Sequence, residues 1–169
     1  MIDAELVVAS VKAAFPAEPV PSRMELLKTH CCECVETSEA FGFKAWPDIS
    51  LEELLAGRET ALLTATAWRY YLPAVISWCV RAPEVVDVIN DNLAFQLEPP
   101  KESDGKWFEE RAQGFSGPQR QAIVAYLRWY QEREAQEYGD MGMEPPEGVA
   151  RALRHWTGEA APEEQQDAG

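Results

Sequence analysis

Three times along the chain a serine stands three residues ahead of a glutamate or glutamine: Ser22 with Glu25, Ser50 with Glu53, and Ser116 with Gln119. This is capping-box spacing, in which the serine hydroxyl accepts from an open helix N–H while the longer side chain reaches back to the serine's own N–H. A chain that marks helix starts so often, and nowhere sustains a two-residue hydrophobic alternation, is constrained to an all-α fold. Prolines and glycines fall mostly between the periodic segments and punctuate them. The resulting helices are Asp3 to Phe15, Arg23 to Ala40, a short one between Ser50 and Gly57, and a segment from Thr64 to Val80 that Pro73 kinks or divides. Three more follow. Glu84 to Leu97 places Val86, Ile89, Leu93 and Leu97 on one face; Ser116 and Pro118 open a helix with Ile123, Tyr126, Leu127 and Tyr130 as its buried stripe; the last lies around Pro146 to Trp156.

These elements predict a compact, irregular bundle of about six to eight helices. One domain is expected over residues 1–156, followed by a disordered acidic tail over 157–169 that lacks large apolar groups. A chain of 169 residues can bury a core without disulfides or a structural metal. Its six tryptophans, spread along the sequence, are expected to tie several helices to that core.

The charge is lopsided: 29 acidic against 15 basic residues, a net charge of −14. Such a surface repels polyanions, so nucleic acid is not an expected partner. A protein with a basic surface is, because opposite fields speed encounter and exclude like-charged competitors. The acidic excess concentrates between Gln131 and Glu147, where Glu132, Glu134, Glu137, Asp140, Glu144 and Glu147 face the single Arg133, and these six are the candidate partner-binding residues. The implied function is that of a small acidic protein-binding domain, an inhibitor or immunity protein that neutralises a basic partner. Solubility alone is the competing explanation of the charge. On the exposed side of the same helix, Arg128 with Glu132 and Arg133 with Glu137 have the spacing of ion pairs one turn apart.

Asp3 and Glu5 stand where a secretory leader carries basic residues, so export by that route is not expected. The longest uncharged apolar stretch, Tyr70 to Val80, is too short to span a bilayer and contains Pro73. It reads as core, and no membrane partner is expected. Cys31, Cys32 and Cys34 are clustered and Cys79 is distant, an arrangement that suits reduced thiols in a cytoplasm better than a disulfide framework.

No Walker loop, GxGxxG, HExxH or GxSxG is present, and the string GFSG at Gly114 to Gly117 is explained by a helix cap. No catalytic residue is assigned, and a binding protein is favoured over an enzyme. The one constellation with metal chemistry is HCCEC, His30 to Cys34. On a helix, His30, Cys31 and Cys34 leave from nearly one face, and with Cys79 as a fourth ligand they compose a Cys3His zinc site. The alternatives are that Cys31 and Cys34 pack as small hydrophobes, or that they serve a thiol-based enzyme or sensor. Against the redox alternative, a helix capped by Ser22 leaves Cys31 well inside it, away from the N-terminus that stabilises a thiolate; Thr29 as the cap removes that objection.

HCCEC with Glu36, Trp46 before ISLEEL, WRYYLPA at Trp68 to Ala74 and FSGPQRQAIVAYLRW at Phe115 to Trp129 together resemble a family of uncharacterised bacterial proteins, a domain of unknown function. The resemblance covers roughly Val20 to Tyr130 and implies no activity or functional residue. It raises interest in Cys31, Cys32 and Cys34. Members carry a histidine shortly after this block where the present chain has Thr37 or Ser38, which weakens a shared metal site. The YYLPA block reads as architectural, bulky packing ahead of Pro73.

Overall fold

A computed structural model describes residues 2–28, 32–101 and 105–159, without the side chains of Cys32 and Glu33. Among these residues the chain forms α1 (Ala4–Ala14), α2 (Arg23–Leu26), α3 (Cys32–Phe41), α4 (Leu51–Ala56), α5 (Ala65–Arg81), α6 (Asp87–Leu97), α7 (Lys106–Ala112), α8 (Gly117–Asp140) and α9 (Gly148–Thr157). Short 3-10 turns lie at Trp46–Asp48 and Thr60–Leu62. The fold is all-α and irregular. The one extended pairing among the described residues is an isolated antiparallel bridge between Leu27 and Leu63.

Capping chemistry sets the helix starts. At Ser50 and Ser116 the boxes close as the spacing predicts, with Glu53 N–H donating to the Ser50 hydroxyl at 3.2 Å and Ser116 N–H donating to Gln119 Oε1 at 2.9 Å. At Ser22 the emphasis shifts, because Glu25 Oε2 accepts from both the serine N–H, at 3.0 Å, and its hydroxyl, at 2.7 Å. Thr64 caps α5 by accepting from Ala67 N–H at 3.1 Å, and the helix then runs through Pro73 without dividing.

Helix α5 occupies the centre. Trp68, Tyr71, Leu72, Val75, Ile76, Cys79 and Val80 are all buried, so apolar contact surrounds it on nearly every side. Helix α1 packs across α5 and α8, α9 lies against α8 and α6, α7 against α5 and α6, and α3 against α4. Gly57 ends α4 where a Cβ would come within 2.8 Å of Ala40 Cβ and of the Phe41 ring, so α3 and α4 approach closely only because this residue has no side chain.

Two expectations need correction. The helix predicted from Arg23 to Ala40 is broken after Leu26. There the Leu26 carbonyl accepts from Thr64 N–H at 3.0 Å, Lys28 N–H donates to the Leu62 carbonyl at 3.1 Å, and the Thr64 hydroxyl donates to the Glu25 carbonyl. Backbone groups that would continue the helix are satisfied by a distant segment instead. The second correction is α7, which sequence periodicity did not predict; it follows Gly105, whose φ of 30° lies in the left-handed region. Helix α9 includes Thr157, one residue past the predicted domain boundary, and Gly158 with φ of 78° closes it. Residues 160–169 of the predicted tail lie outside the described residues.

The stripe Ile123, Tyr126, Leu127 and Tyr130 on α8 is buried as predicted. Replacing fully buried Leu127 by Ala is expected to cost about 2 to 5 kcal/mol in urea unfolding. Tyr126 donates to Asn90 Oδ1 at 2.6 Å within the core. Tyr126→Phe is expected to cost about 1 to 3 kcal/mol, because that amide oxygen loses its donor.

Candidate functional site

Of the predicted acidic residues, Glu132, Glu134, Glu137 and Asp140 lie on α8, and Glu144 and Glu147 follow it. Tyr130, Glu134, Glu137, Tyr138 and Met141 recur at steps of three, four and one, which keeps them on one helical face, and Asp87, Asp91, Ala94, Phe95 and Glu98 do the same on α6. The two faces meet over a cleft of about 350 Å³ that these residues line. Glu132 points away and accepts from Ile2 N–H. Asp140 and Glu144 are exposed beyond the cleft, and Glu147 is the N-cap position of α9.

Arginines occupy the margins of this cleft. Arg133 reaches across to Glu84 at 3.2 Å and Asp87 at 3.9 Å, and Arg151 pairs with Glu98. The unneutralised acid is therefore centred on Asp91, Glu134 and Glu137. Tyr130 donates to Asp91 Oδ1 at 2.7 Å. Burial pushes the Glu134 carboxyl up to about 7, the Asp91 and Glu137 charges push the same way, and a hydrogen bond from Tyr130 opposes them.

A second concavity of about 360 Å³ opens on the other side of α6, between the Thr60–Leu62 turn, α6 and α7. Its floor is the Arg111 guanidinium, only 3% exposed. Arg111 Nη1 donates to Gln96 Oε1 at 3.1 Å and Nη2 to the Ala61 carbonyl at 2.9 Å, while Nε has no acceptor among the described residues. Gln96 is fixed in turn, accepting from Trp68 Nε1 at 2.7 Å and donating to Thr60 Oγ1 at 3.1 Å. The guanidinium carbon lies 5.2 Å from the Trp68 ring centre and 5.8 Å from that of Trp107, within cation–π range of both. Burial lowers the Arg111 pKa. Lys28 at the rim is lowered by partial desolvation and by the Arg111 charge, with Glu110 opposing.

The metal candidates are not assembled among the described residues. His30 and Cys31 lie outside them. Cys34 is buried in the first turn of α3 and lines a groove with Arg23, Met24 and Leu27 of the α2 segment. Because α3 is separate from α2, Cys34 is not carried deep inside a helix capped by Ser22. Cys79 is fully buried in α5, in the electrostatic surroundings of Tyr126, Asp91 and Arg133, and burial pushes its thiol far up. Among the described residues no three His, Cys, Asp or Glu side chains are placed to hold a metal ion.

Sequence reasoning missed Arg111 and the α6 carboxylates. The signal for Arg111 was present in Trp107, Phe108, Arg111 and Ala112, an apolar stripe at helical spacing with an arginine inside it. Asp87 and Asp91 carried no such mark, since their value comes from the approach of α8.

Over residues 4–160 the chain matches a family described as a family of unknown function (DUF6714), and it belongs to that family. No curated protein and no solved structure matches it. No described helix is long and apolar enough to cross a membrane.

Because the folded state holds Glu134 at about 7 against an ordinary 4.5, it binds this proton more tightly than the unfolded chain does. The stabilisation is complete below pH 4.5 and is lost as pH rises through 7. Glu134→Gln is expected to melt higher than the parent at pH 8, with the difference shrinking by pH 5; melting scans at both pH values check it. Cys79 is expected to resist alkylation by iodoacetamide in the native protein and to react fully in guanidinium chloride, as followed by mass spectrometry of the tryptic peptide.

Proposed function

We propose that this chain is a protein-docking domain that takes a basic partner on the cleft between α6 and α8, as an inhibitor or immunity protein would. The observation that carries the reading is the convergence of Asp91, Glu134 and Glu137 from two helices beside exposed apolar groups. Phe95 and Met141 line the cleft while remaining 66% and 56% exposed, and Val88 on α6 is 68% exposed. A solubility coat disperses its charge and hides such side chains; a docking surface pairs apolar anchors with a charged rim. The net charge of −14 steers a basic partner from a distance, and the cleft supplies the place where register is set. A cytoplasmic setting suits this function, since Cys79 carries an unbridged thiol.

The cleft also links binding to protonation. A lysine or arginine placed beside Glu134 favours its ionised form, so docking near neutral pH is expected to release a proton. To test the reading, the parent protein and an Asp91→Lys/Glu137→Lys variant are immobilised side by side and loaded with lysate of the native cell. The expected result is a protein of high isoelectric point that is retained by the parent, released by 0.5 M salt on the order of the screening that 3 to 10 Å Debye lengths imply, and absent from a variant whose melting temperature is unchanged. Equal retention on both surfaces overturns the proposal.

A further inference from the structure

In a chain with almost two acidic residues for each basic one, the cavity over Arg111 has the opposite polarity. Lys28, Arg58 and Arg111 line it, and the one carboxylate in its wall, Glu59, lies 3.8 Å from Arg58. No carboxylate among the described residues forms an ion pair with Arg111 or Lys28. Burying a guanidinium without a counter-charge is costly, and a buried N–H without an acceptor adds to the cost. Arg111 bears both, with Nε unpaired in a side chain that is 97% withdrawn from solvent. The aromatic stacking on Trp68 and Trp107 and the bonds to Gln96 and Ala61 hold the guanidinium in place without neutralising it.

One wall of the cavity is flat and apolar. The rings of Trp107 and Phe95 lie 6.4 Å apart at 19°, in a stack whose Phe95 member is largely exposed. The geometry points to a binding site for a small organic anion, in which a carboxylate or phosphate is held between Arg111 and Lys28 while a planar ring it carries lies along Trp107 and Phe95. The volume of about 360 Å³ is within the range of small-ligand pockets. A charge-assisted bond from a desolvated guanidinium is stronger than one between neutral groups, and Arg geometry suits either acid. A long polyanion is excluded by the surrounding field, whereas a small anion enters a cavity whose own charge is positive. This site shares Phe95 with the α6/α8 cleft, but its cationic groups lie outside that cleft and it does not depend on the docking proposal.

Isothermal titration of the full chain tests it with four probes: adenosine 5′-monophosphate, indole-3-carboxylate, adenosine and inorganic phosphate. The expected result is saturable binding of at least one ring-bearing anion, about tenfold or more tighter than both neutral adenosine and inorganic phosphate. Which of the two anions binds distinguishes a phosphate from a carboxylate ligand. Lys28→Gln/Arg58→Gln, both at the rim, is expected to weaken that binding about tenfold at an unchanged melting temperature, and Trp107→Ala to remove the preference over inorganic phosphate. Arg111→Lys is made alongside, since a charge without the planar fork is expected to bind less well even where it folds. The proposal is overturned if neither ring-bearing anion binds below about 1 mM, if adenosine or inorganic phosphate binds as tightly, or if the rim variant binds like the parent.

Discussion

Because α5 is enclosed on nearly every side, the polar tips of its long aromatic side chains have to be satisfied by neighbouring elements, and those bonds decide where the loops run. Tyr70 and Tyr71 are adjacent, yet their hydroxyls end on different segments: Tyr70 donates to the Ala17 carbonyl at 2.5 Å, and Tyr71 to the Phe41 carbonyl at 2.6 Å. Trp78 Nε1 donates to the Ile49 carbonyl at 2.8 Å, and Trp68 Nε1 to Gln96. Four aromatic side chains thus fix the α1–α2 connection, the end of α3, the approach to α4 and the C-terminal end of α6. An indole or phenol can do this because its apolar body belongs in the core while its polar tip demands a partner there.

The same logic separates what could be read from the sequence and what could not. Helix starts are local events, so the boxes at Ser50 and Ser116 and the cap at Thr64 were legible, as was the buried stripe on α8. The break after Leu26 was not, because no glycine or proline marks it and its cause is a segment beyond Thr60. Glu134 and Glu137 stood out by charge, but their partners Asp87 and Asp91 acquire meaning only from the approach of two helices. Glu132 shows the limit of counting charges along a sequence: two residues from Glu134, it emerges on the opposite side of the helix and meets Ile2. Arg111 was passed over because an arginine in a short charged segment reads as surface, and only packing by Trp68 and Trp107 turns it inward.

Helix α6 divides the molecule's electrostatics. Asp91 faces the acidic cleft and Asn92 and Gln96 face the cationic cavity, so neighbouring residues serve fields of opposite sign. Phe95 lines both concavities. Such contrast over one helix diameter survives because the groups are partly removed from water, where screening by solvent and salt is weaker. A net charge describes how the protein looks from afar and says little about either concavity.

The bridge between Leu27 and Leu63 bears on the order in which the chain can assemble. Helix α2 has a single turn, too short to persist alone, and its C-terminal carbonyls are satisfied by residues that follow the Thr60–Leu62 turn. During synthesis the segment after Pro21 therefore leaves the ribosome before its partner exists, and stays unpaired until the head of α5 has emerged. Like the docking of α1 on α5 and α8, this closure joins segments distant in sequence, so the single turn of α2 gains its partners only after the intervening loop has closed.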